Sequence, residues 1–351
     1  MRTAEFMATA LQLSAEENRK LKALYRVTGI EHRYTVLPDF ATTNGQFTFF
    51  PNTPDLEPFP TVKQRMTLYQ QEALPLSVAA VTDCLAQLKN FDRSTITHLV
   101  TVSCTGMYAP GLDIDLIQAL DLPSTTQRTS VNFMGCYAAF NGLKVADAFC
   151  QTNPEARVLV VCTELCTLHF QKYQEYDHLV SNAIFADGSA AVLVQSKPMP
   201  KHLSIGLAAF HCELLPAGKK EMAWHIANHG FEMTLSSYVP DLIQQGIKCL
   251  TQRLLQKLNL ELSKVNLFAI HPGGRKILEA IEKALHLQPE HNCFAYETLR
   301  DYGNMSSATV LFVIKSILKT LSPAHHNQPI LSFAFGPGLT LESMLLRVCY
   351  V

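Results

Sequence analysis

Apolar and polar positions along this chain follow two rhythms. THLVTVSC (97–104), RTSVNF (128–133), ARVLVVCTEL (156–165) and AIFADGSAAVLVQS (183–196) are short runs rich in β-branched residues, and they predict strands. GLDIDLIQAL (111–120) and the small-residue stretch CYAAFNGLKVADAFC (136–150) carry helical spacing. The second half repeats the style. VPDLIQQGIKCLTQRLLQKL (239–258), GGRKILEAIEKAL (273–285) and SSATVLFVIKSIL (306–318) predict helices, whereas VNLFAI (265–270), QPILSFAF and MLLRV predict strands. Such alternation argues for an α/β fold with helices packed on central strands. KPMPKHL (197–203) has two prolines and no periodicity, so it marks a boundary between halves 1–203 and 204–351. The opening MRTAEFMATALQLSAEENRKLKALY reads as amphipathic helix, with Phe6, Ala10, Leu13, Leu21 and Leu24 on roughly one face.

One internal echo bears on chemistry. NFMGC before YAAFNGLKVAD resembles DYGNM before SSATVLFVIKS. Each places a glycine before Cys136 or Asn304, and each then enters a helix whose first turn is small. A duplicated fold would leave such a trace, with two equivalent helix starts facing one centre.

Composition narrows the class. With 351 residues, 48% hydrophobic and 17% charged, the chain suits two halves sharing an interior and lacks the signature of disorder. A net charge of −1 excludes the basic excess of a nucleic-acid surface, and no uncharged apolar run approaches the length of a membrane span. The N-terminus has no apolar signal core, and the ten cysteines are scattered in a chain large enough to need no staples. A cytoplasmic protein is the expectation. Cys162, Cys166 and His169 have a spacing that invites a zinc reading, but no second ligand pair lies nearby and the segment opens as a strand, so no metal is expected.

Three positions carry candidate chemistry. Cys136 sits at a strand-to-helix turn, where Gly135 permits a sharp bend and Ala138 and Ala139 permit close approach. A helix N-terminus favours thiolate over thiol, as a nucleophile needs; the bland alternative is a small buried hydrophobe. His271 ends a buried strand before Pro272, Gly273 and Gly274, a place that commonly lines an α/β cleft, although a turn histidine bonded to backbone fits equally. Asn304 is either a helix cap or an amide donor to an oxyanion. Together they form a Cys/His/Asn set, without the papain-like local signature, because YAAF follows Cys136.

NFMGCYAAFNG, AIFADGSAA, FAIHPGGRKIL, DYGNMSSATVLF and FGPGLTLES resemble, in order and spacing, the successive signatures of type III polyketide synthases, the chalcone-synthase-like branch of the thiolase superfamily. The resemblance runs from about residue 20 to the end. It implies a thiolase-like αβαβα layered fold of two similar halves, a homodimer, and no metal or prosthetic group, with acyl-CoA and malonyl-CoA as substrates. It makes Cys136 the acyl-accepting nucleophile. His271 and Asn304 then hold the thioester oxygen and stabilise the enolate left when malonyl-CoA loses CO2, and His271 keeps Cys136 ionised. Phe185 matches a gatekeeping phenylalanine. Thr105, Ser306 and Gly338 join the substrate-binding wall.

Several positions depart from the plant pattern. Cys166 and His169 stand where plant enzymes have two cavity threonines, Met233 replaces a second gatekeeper phenylalanine, and Trp224 replaces a wall glycine. Ala109 replaces the methionine that reaches across the dimer, and the basic CoA cluster survives only in part, in Arg26, His32 and Arg33. These departures point to a microbial rather than a plant type. The resemblance also implies a strand ahead of the first helix, and that strand is expected to be missing from this sequence. The alternatives are a ketoacyl synthase III-like enzyme performing one condensation, and an inactive dimeric scaffold.

Overall fold

The computed structural model describes residues 2–42, 46–88 and 90–351. The helices are α1 (Arg2–Ala10), α2 (Ala15–Val27), α3 (Val62–Ala86), α4 (Leu112–Ala119), α5 (Ala138–Thr152), α6 (Tyr176–Ile184), α7 (Val239–Gln256), α8 (Arg275–Leu285), α9 (Cys293–Tyr302) and α10 (Thr309–Thr320). The strands are β1 (His98–Ser103), β2 (Gln127–Asn132), β3 (Arg157–Leu165), β4 (Asp187–Gln195), β5 (Ser204–Leu214), β6 (Met222–Ala227), β7 (Gly230–Leu235), β8 (Leu267–Ile270), β9 (Pro329–Gly336) and β10 (Thr340–Cys349).

Among the described residues the strands form two four-stranded sheets and a hairpin. The first sheet runs β2-β1-β3-β4, parallel until β4 returns antiparallel to β3. The second runs β5-β10-β9-β8; β8 and β9 are parallel, and β10 is antiparallel to both its neighbours. Parallel neighbours followed by an antiparallel return therefore occur twice. β1 and β3 are buried along nearly their whole length because helices cover both faces, which is why their sequences are continuous apolar runs.

Helices α5 and α10 occupy the layer between the sheets. α5 packs on β1 and β3 and also touches β10, while α10 packs on β8 and touches β4. Helix α3 covers the outer face of β3 and β4, and α7 covers β10 and β5, with α8 packed against α7. The result is the αβαβα layering that the resemblance implies. Gly142 in α5 is part of the reason it closes. A Cβ there would stand 2.9 Å from Val102 and 3.1 Å from Val160, so only hydrogen lets this helix lie so close to β1 and β3.

Two readings of the sequence need correction. The N-terminal stretch is two helices rather than one. Ser14 accepts the Glu17 N–H and the Glu17 carboxylate accepts the Ser14 N–H, a capping box that restarts the helix at Ala15. Phe6, Ala10 and Leu21 are buried, whereas Leu13 and Leu24 are only partly so. The segment 183–196 is not all strand either. Ala183 and Ile184 end α6, and Phe185 forms a bridge with Asn304 before β4 begins at Asp187. That bridge ties the two halves together beside the site, through Ala186 N–H to Asn304 O and Asn304 N–H to Ile184 O, both 2.9 Å.

Candidate active site

Cys136 stands between β2 and α5, at the first of the two central helix starts that the internal echo predicts. Gly135 has a φ of +81°, and a Cβ on it would meet Pro337 Cδ at 2.2 Å, so no side chain fits. Its N–H donates to Cys104 Sγ at 2.9 Å, which fixes the turn against the end of β1. Asn304 sits at the second helix start. Its Oδ1 accepts the Ser306 N–H at 2.9 Å and the Thr309 hydroxyl at 3.4 Å, the behaviour of a cap. This leaves its Nδ2 facing the other way, 3.2 Å from Gly273 O and 4.0 Å from Cys136 Sγ. Cap and donor are thus two ends of one amide rather than competing roles.

His271 follows β8. Its own N–H bonds to Phe333 O at 2.8 Å, and Gly273 N–H returns to its carbonyl at 2.9 Å. Both ring nitrogens are buried with no hydrogen-bond partner among the described residues. That is costly for an imidazole and marks a group that awaits a partner. Burial pushes His271 down to about 3, so the ring is neutral. Burial also pushes the Cys136 thiol up to about 12, against the pull of hydrogen bonds from Ser306 and Asn304. The free site therefore favours a neutral thiol and a neutral imidazole, not the standing thiolate expected from the helix N-terminus. Cys136 lies ahead of α5 by two residues, where the dipole has weakened, and full desolvation outweighs it.

Cys136 borders a cavity of about 970 Å³, mouth included. Thr105, Cys166, His169, Phe185, Trp224, Met233 and Ser306 all line it. Gly338 does not; the preceding Gly336 and Pro337 take that wall, and Gly338 serves the turn behind it with a φ of +74°. His271 and Asn304 do not border the open volume either, although Asn304 reaches Cys136. Arg33 lines the cavity, but its guanidinium donates to Asn182 O at 3.0 Å and Ala183 O at 2.7 Å, closing the last turn of α6. Arg26 and His32 are exposed.

The floor is aromatic and its polar atoms are spent. His169 Nε2 donates to Thr105 O at 2.6 Å and Nδ1 accepts the Phe231 N–H at 2.9 Å, while burial pushes the ring down to about 3. That leaves His169 no lone pair for a metal. The His169 ring stacks on Phe231 at 4.1 Å, and Trp224 meets both edge-on at 5.6 and 5.8 Å. Trp224 Nε1–H donates to Cys104 O at 2.8 Å. Trp224 is half-buried and faces the cavity, so Trp224→Gly opens the floor. On the activity that the resemblance implies, the expected result is bulkier starters or longer products, with a stability loss below the roughly 3–5 kcal/mol of a fully buried tryptophan. Product profiling beside thermal unfolding checks it; an unchanged product spectrum in a folded variant removes Trp224 from the wall.

Sequence reading missed Glu164, which is fully buried at the end of β3. Its carboxylate accepts Cys104 N–H at 2.9 Å, Thr105 Oγ1–H at 2.8 Å and the Ser307 hydroxyl. It joins the end of β1 to the start of α10, and burial raises its pKa. An acid inside the apolar run VLVVCTEL was the available signal. Also missed were Thr3 and Met7 of α1, which line the cavity far from Cys136 in sequence.

Comparison with known proteins places this architecture. The family model described as chalcone and stilbene synthases, N-terminal domain, matches residues 3–198, and its C-terminal counterpart matches residues 207–349. The chain is 32% identical over 343 residues to a probable polyketide synthase of Dictyostelium discoideum, a match covering 95% of this chain and 10% of that protein. It is 31% identical over 291 residues to an alpha-pyrone synthesis polyketide synthase-like protein of Mycobacterium tuberculosis, covering 82% of this chain and 74% of that one. It thus spans about a tenth of the first relative and about three quarters of the second. Among solved structures, PKS-I from the brown alga Ectocarpus siliculosus matches with TM-score 0.90 and 29% identity over 99% of this chain and 93% of that chain. The C-terminal type III polyketide synthase domain of the Dictyostelium hybrid Steely1 matches with TM-score 0.87 and 30% identity over 99% and 94%.

Proposed function

The chain belongs to the chalcone and stilbene synthase family, and from that premise we propose that it is a type III polyketide synthase of microbial type, building its product on Cys136. The Cys136 sulfur attacks the carbonyl of an acyl-CoA, the proton it gives up passes to His271, and CoA departs as its thiol. Malonyl-CoA then loses CO2. The electron pair left behind becomes an enolate, whose oxygen takes hydrogen bonds from Asn304 Nδ2–H and from the N–H of His271, neutral again once its proton has left with CoA. The enolate carbon attacks the acyl carbonyl on Cys136 and expels the sulfur. The lengthened chain, now a CoA thioester, is taken back by the freed Cys136 sulfur as CoA leaves again, and repetition gives a chain that closes to a pyrone, resorcinol or similar ring. Donors aimed at the oxygen that gains charge favour the transition state over the bound substrate. The chemistry draws on no metal or prosthetic group.

The observation that carries the reading is Asn304 Nδ2 at 4.0 Å from Cys136 Sγ, beside an apolar cavity. The unpaired ring nitrogens of His271 and the neutral state of Cys136 fit a proton that moves only when substrate arrives. The test is incubation with a panel of acyl-CoA starters and malonyl-CoA, read by mass spectrometry. Products with two or more added ketide units are expected. A product stopped at one unit points to the ketoacyl synthase III-like reaction, and no product from folded protein points to the scaffold.

A homodimer belongs to the same proposal. β2 is an edge strand, with Gln127, Arg128, Ser130 and Asn132 exposed, and its free edge suits pairing with a second copy. Light scattering should give twice the chain mass; a monomer at working concentration contradicts it. A cytoplasmic setting fits the ten free thiols. Among the described residues, no helix is long and apolar enough to cross a membrane.

A further inference from the structure

Arg65 stands near the start of α3 with 0% of its surface exposed. Among the described residues its partners are carbonyls, and no carboxylate pairs with it. Burial lowers its pKa, yet a guanidinium stays charged at neutral pH. A buried cation without a counter-charge is costly, and the first turns of a helix are the wrong end of the dipole for it. Its Nη2 is buried with no hydrogen-bond partner among the described residues. The charge rests on three carbonyls and on the face of Phe59, 4.7 Å from the guanidinium carbon. An apolar side chain of the same shape would avoid that cost but would lose the three carbonyls.

Two of those carbonyls flank a cavity residue. Nε donates to Pro60 O at 3.0 Å, while Nη1 donates to Leu168 O and, at 3.2 Å, to Phe170 O. Leu168 and Phe170 stand on either side of His169, at the end of the turn Cys166–His169, and Cys166, His169 and Phe170 all line the cavity. Arg65 also meets the hairpin of β6 and β7. Gly230 has a φ of +114°, and a Cβ on it would stand 3.0 Å from Arg65 Cδ and 3.2 Å from His169 Nδ1. The next N–H, that of Phe231, is the one His169 Nδ1 accepts. The positive charge of Arg65 disfavours a second one on the imidazole, so Nδ1 remains an acceptor. The hairpin presents Trp224, Phe231 and Met233 to the cavity, yet among the described residues it shares no ladder with either four-stranded sheet. Its position therefore depends on side-chain ties such as these.

Taking the synthase reading as given, we infer that Arg65 is a positioning residue for product length: it ties the Cys166–His169 turn and the β6–β7 hairpin to α3, and so fixes the wall against which the growing chain stops. Arg65 does not border the cavity itself and acts through His169 and Phe231.

The experiment uses Arg65→Met, which keeps the bulk and loses every donor, and Arg65→Lys, which keeps the charge and loses the planar fork. Folding is checked by circular dichroism. Each protein is incubated with acyl-CoA starters and malonyl-CoA, and the number of ketide units is read by mass spectrometry. Trp224 is the one tryptophan of the chain, so acrylamide quenching of its fluorescence reports on the cavity floor alone. Both variants should release CO2 from malonyl-CoA within about threefold of wild type, because Asn304 and His271 are untouched. The share of products with a different number of ketide units should rise about tenfold in Arg65→Met and less in Arg65→Lys. Quenching of Trp224 should rise about twofold as the floor loosens. Wild-type products or wild-type quenching in folded Arg65→Met, or in folded Arg65→Lys where the methionine variant does not fold, overturns the assignment. Decarboxylation lost in step with product, or failure of both variants to fold, makes Arg65 a structural residue and overturns it too. If the wild type forms no product, the synthase reading falls, and Trp224 quenching, which needs no turnover, still decides whether Arg65 holds the floor.

Discussion

Cys136→Ala ends product formation, by about 10⁴–10⁶-fold, the range in which removal of a covalent nucleophile falls. The fold survives, because Cys136 Sγ borders a cavity and Asn304 Nδ2, 4.0 Å away, keeps Gly273 O as its acceptor when the sulfur is removed. The variant separates two activities. In the proposed mechanism acyl transfer needs the sulfur, whereas the enolate from malonyl-CoA rests on His271 and Asn304. Slow release of CO2 from malonyl-CoA should therefore persist with no ketide product. Wild-type product from this variant would remove Cys136 from its role, and loss of thermal stability beside loss of activity would mean that the cysteine is structural.

The second large effect is at Asn304. Asn304→Ala lowers malonyl-CoA decarboxylation by about 10²–10³-fold, the cost of one oxyanion donor, and slows acyl loading much less. It also removes the acceptor for Ser306 N–H, so the variant loses about 0.5–2 kcal/mol of stability as a cap deletion. Asn304→Asp distinguishes the two functions of this amide. It keeps an acceptor for the cap and places an acceptor, not a donor, toward Cys136. Decarboxylation should collapse in both variants, and both lose stability, alanine through the lost cap and aspartate by turning an oxygen onto Gly273 O. An aspartate variant that decarboxylates normally would reduce Asn304 to a cap.

What could be read from the sequence follows from how local each signal is. The turns at Gly135–Cys136, His271–Gly274 and Gly303–Asn304 are spelled within five residues each, and the structure brings Cys136 and Asn304 together. The α/β alternation was legible because β1 and β3 are buried on both faces and so read as continuous apolar runs, whereas the αβαβα layering came only from the family resemblance. Boundaries were less legible. Ser14 and Glu17 form a capping box inside an unbroken amphipathic pattern, and the apolar face hid the break. Phe185 and Ala186 look like strand but pair across the halves with Asn304, a contact 119 or so residues away in sequence that no local pattern announces. Glu164, Met7 and the pinning of Trp224 to Cys104 depend on tertiary neighbours alone. The ionised cysteine was expected from a helix terminus, yet burial decides the free site.

The most direct test of the central claim is peptide mass spectrometry of protein quenched in acid after brief incubation with an acyl-CoA starter and malonyl-CoA. The account predicts starter and starter-plus-ketide masses on the peptide containing Cys136, with the other nine cysteines unmodified. Acyl adducts on another cysteine, or product formation with Cys136 never acylated, would contradict it.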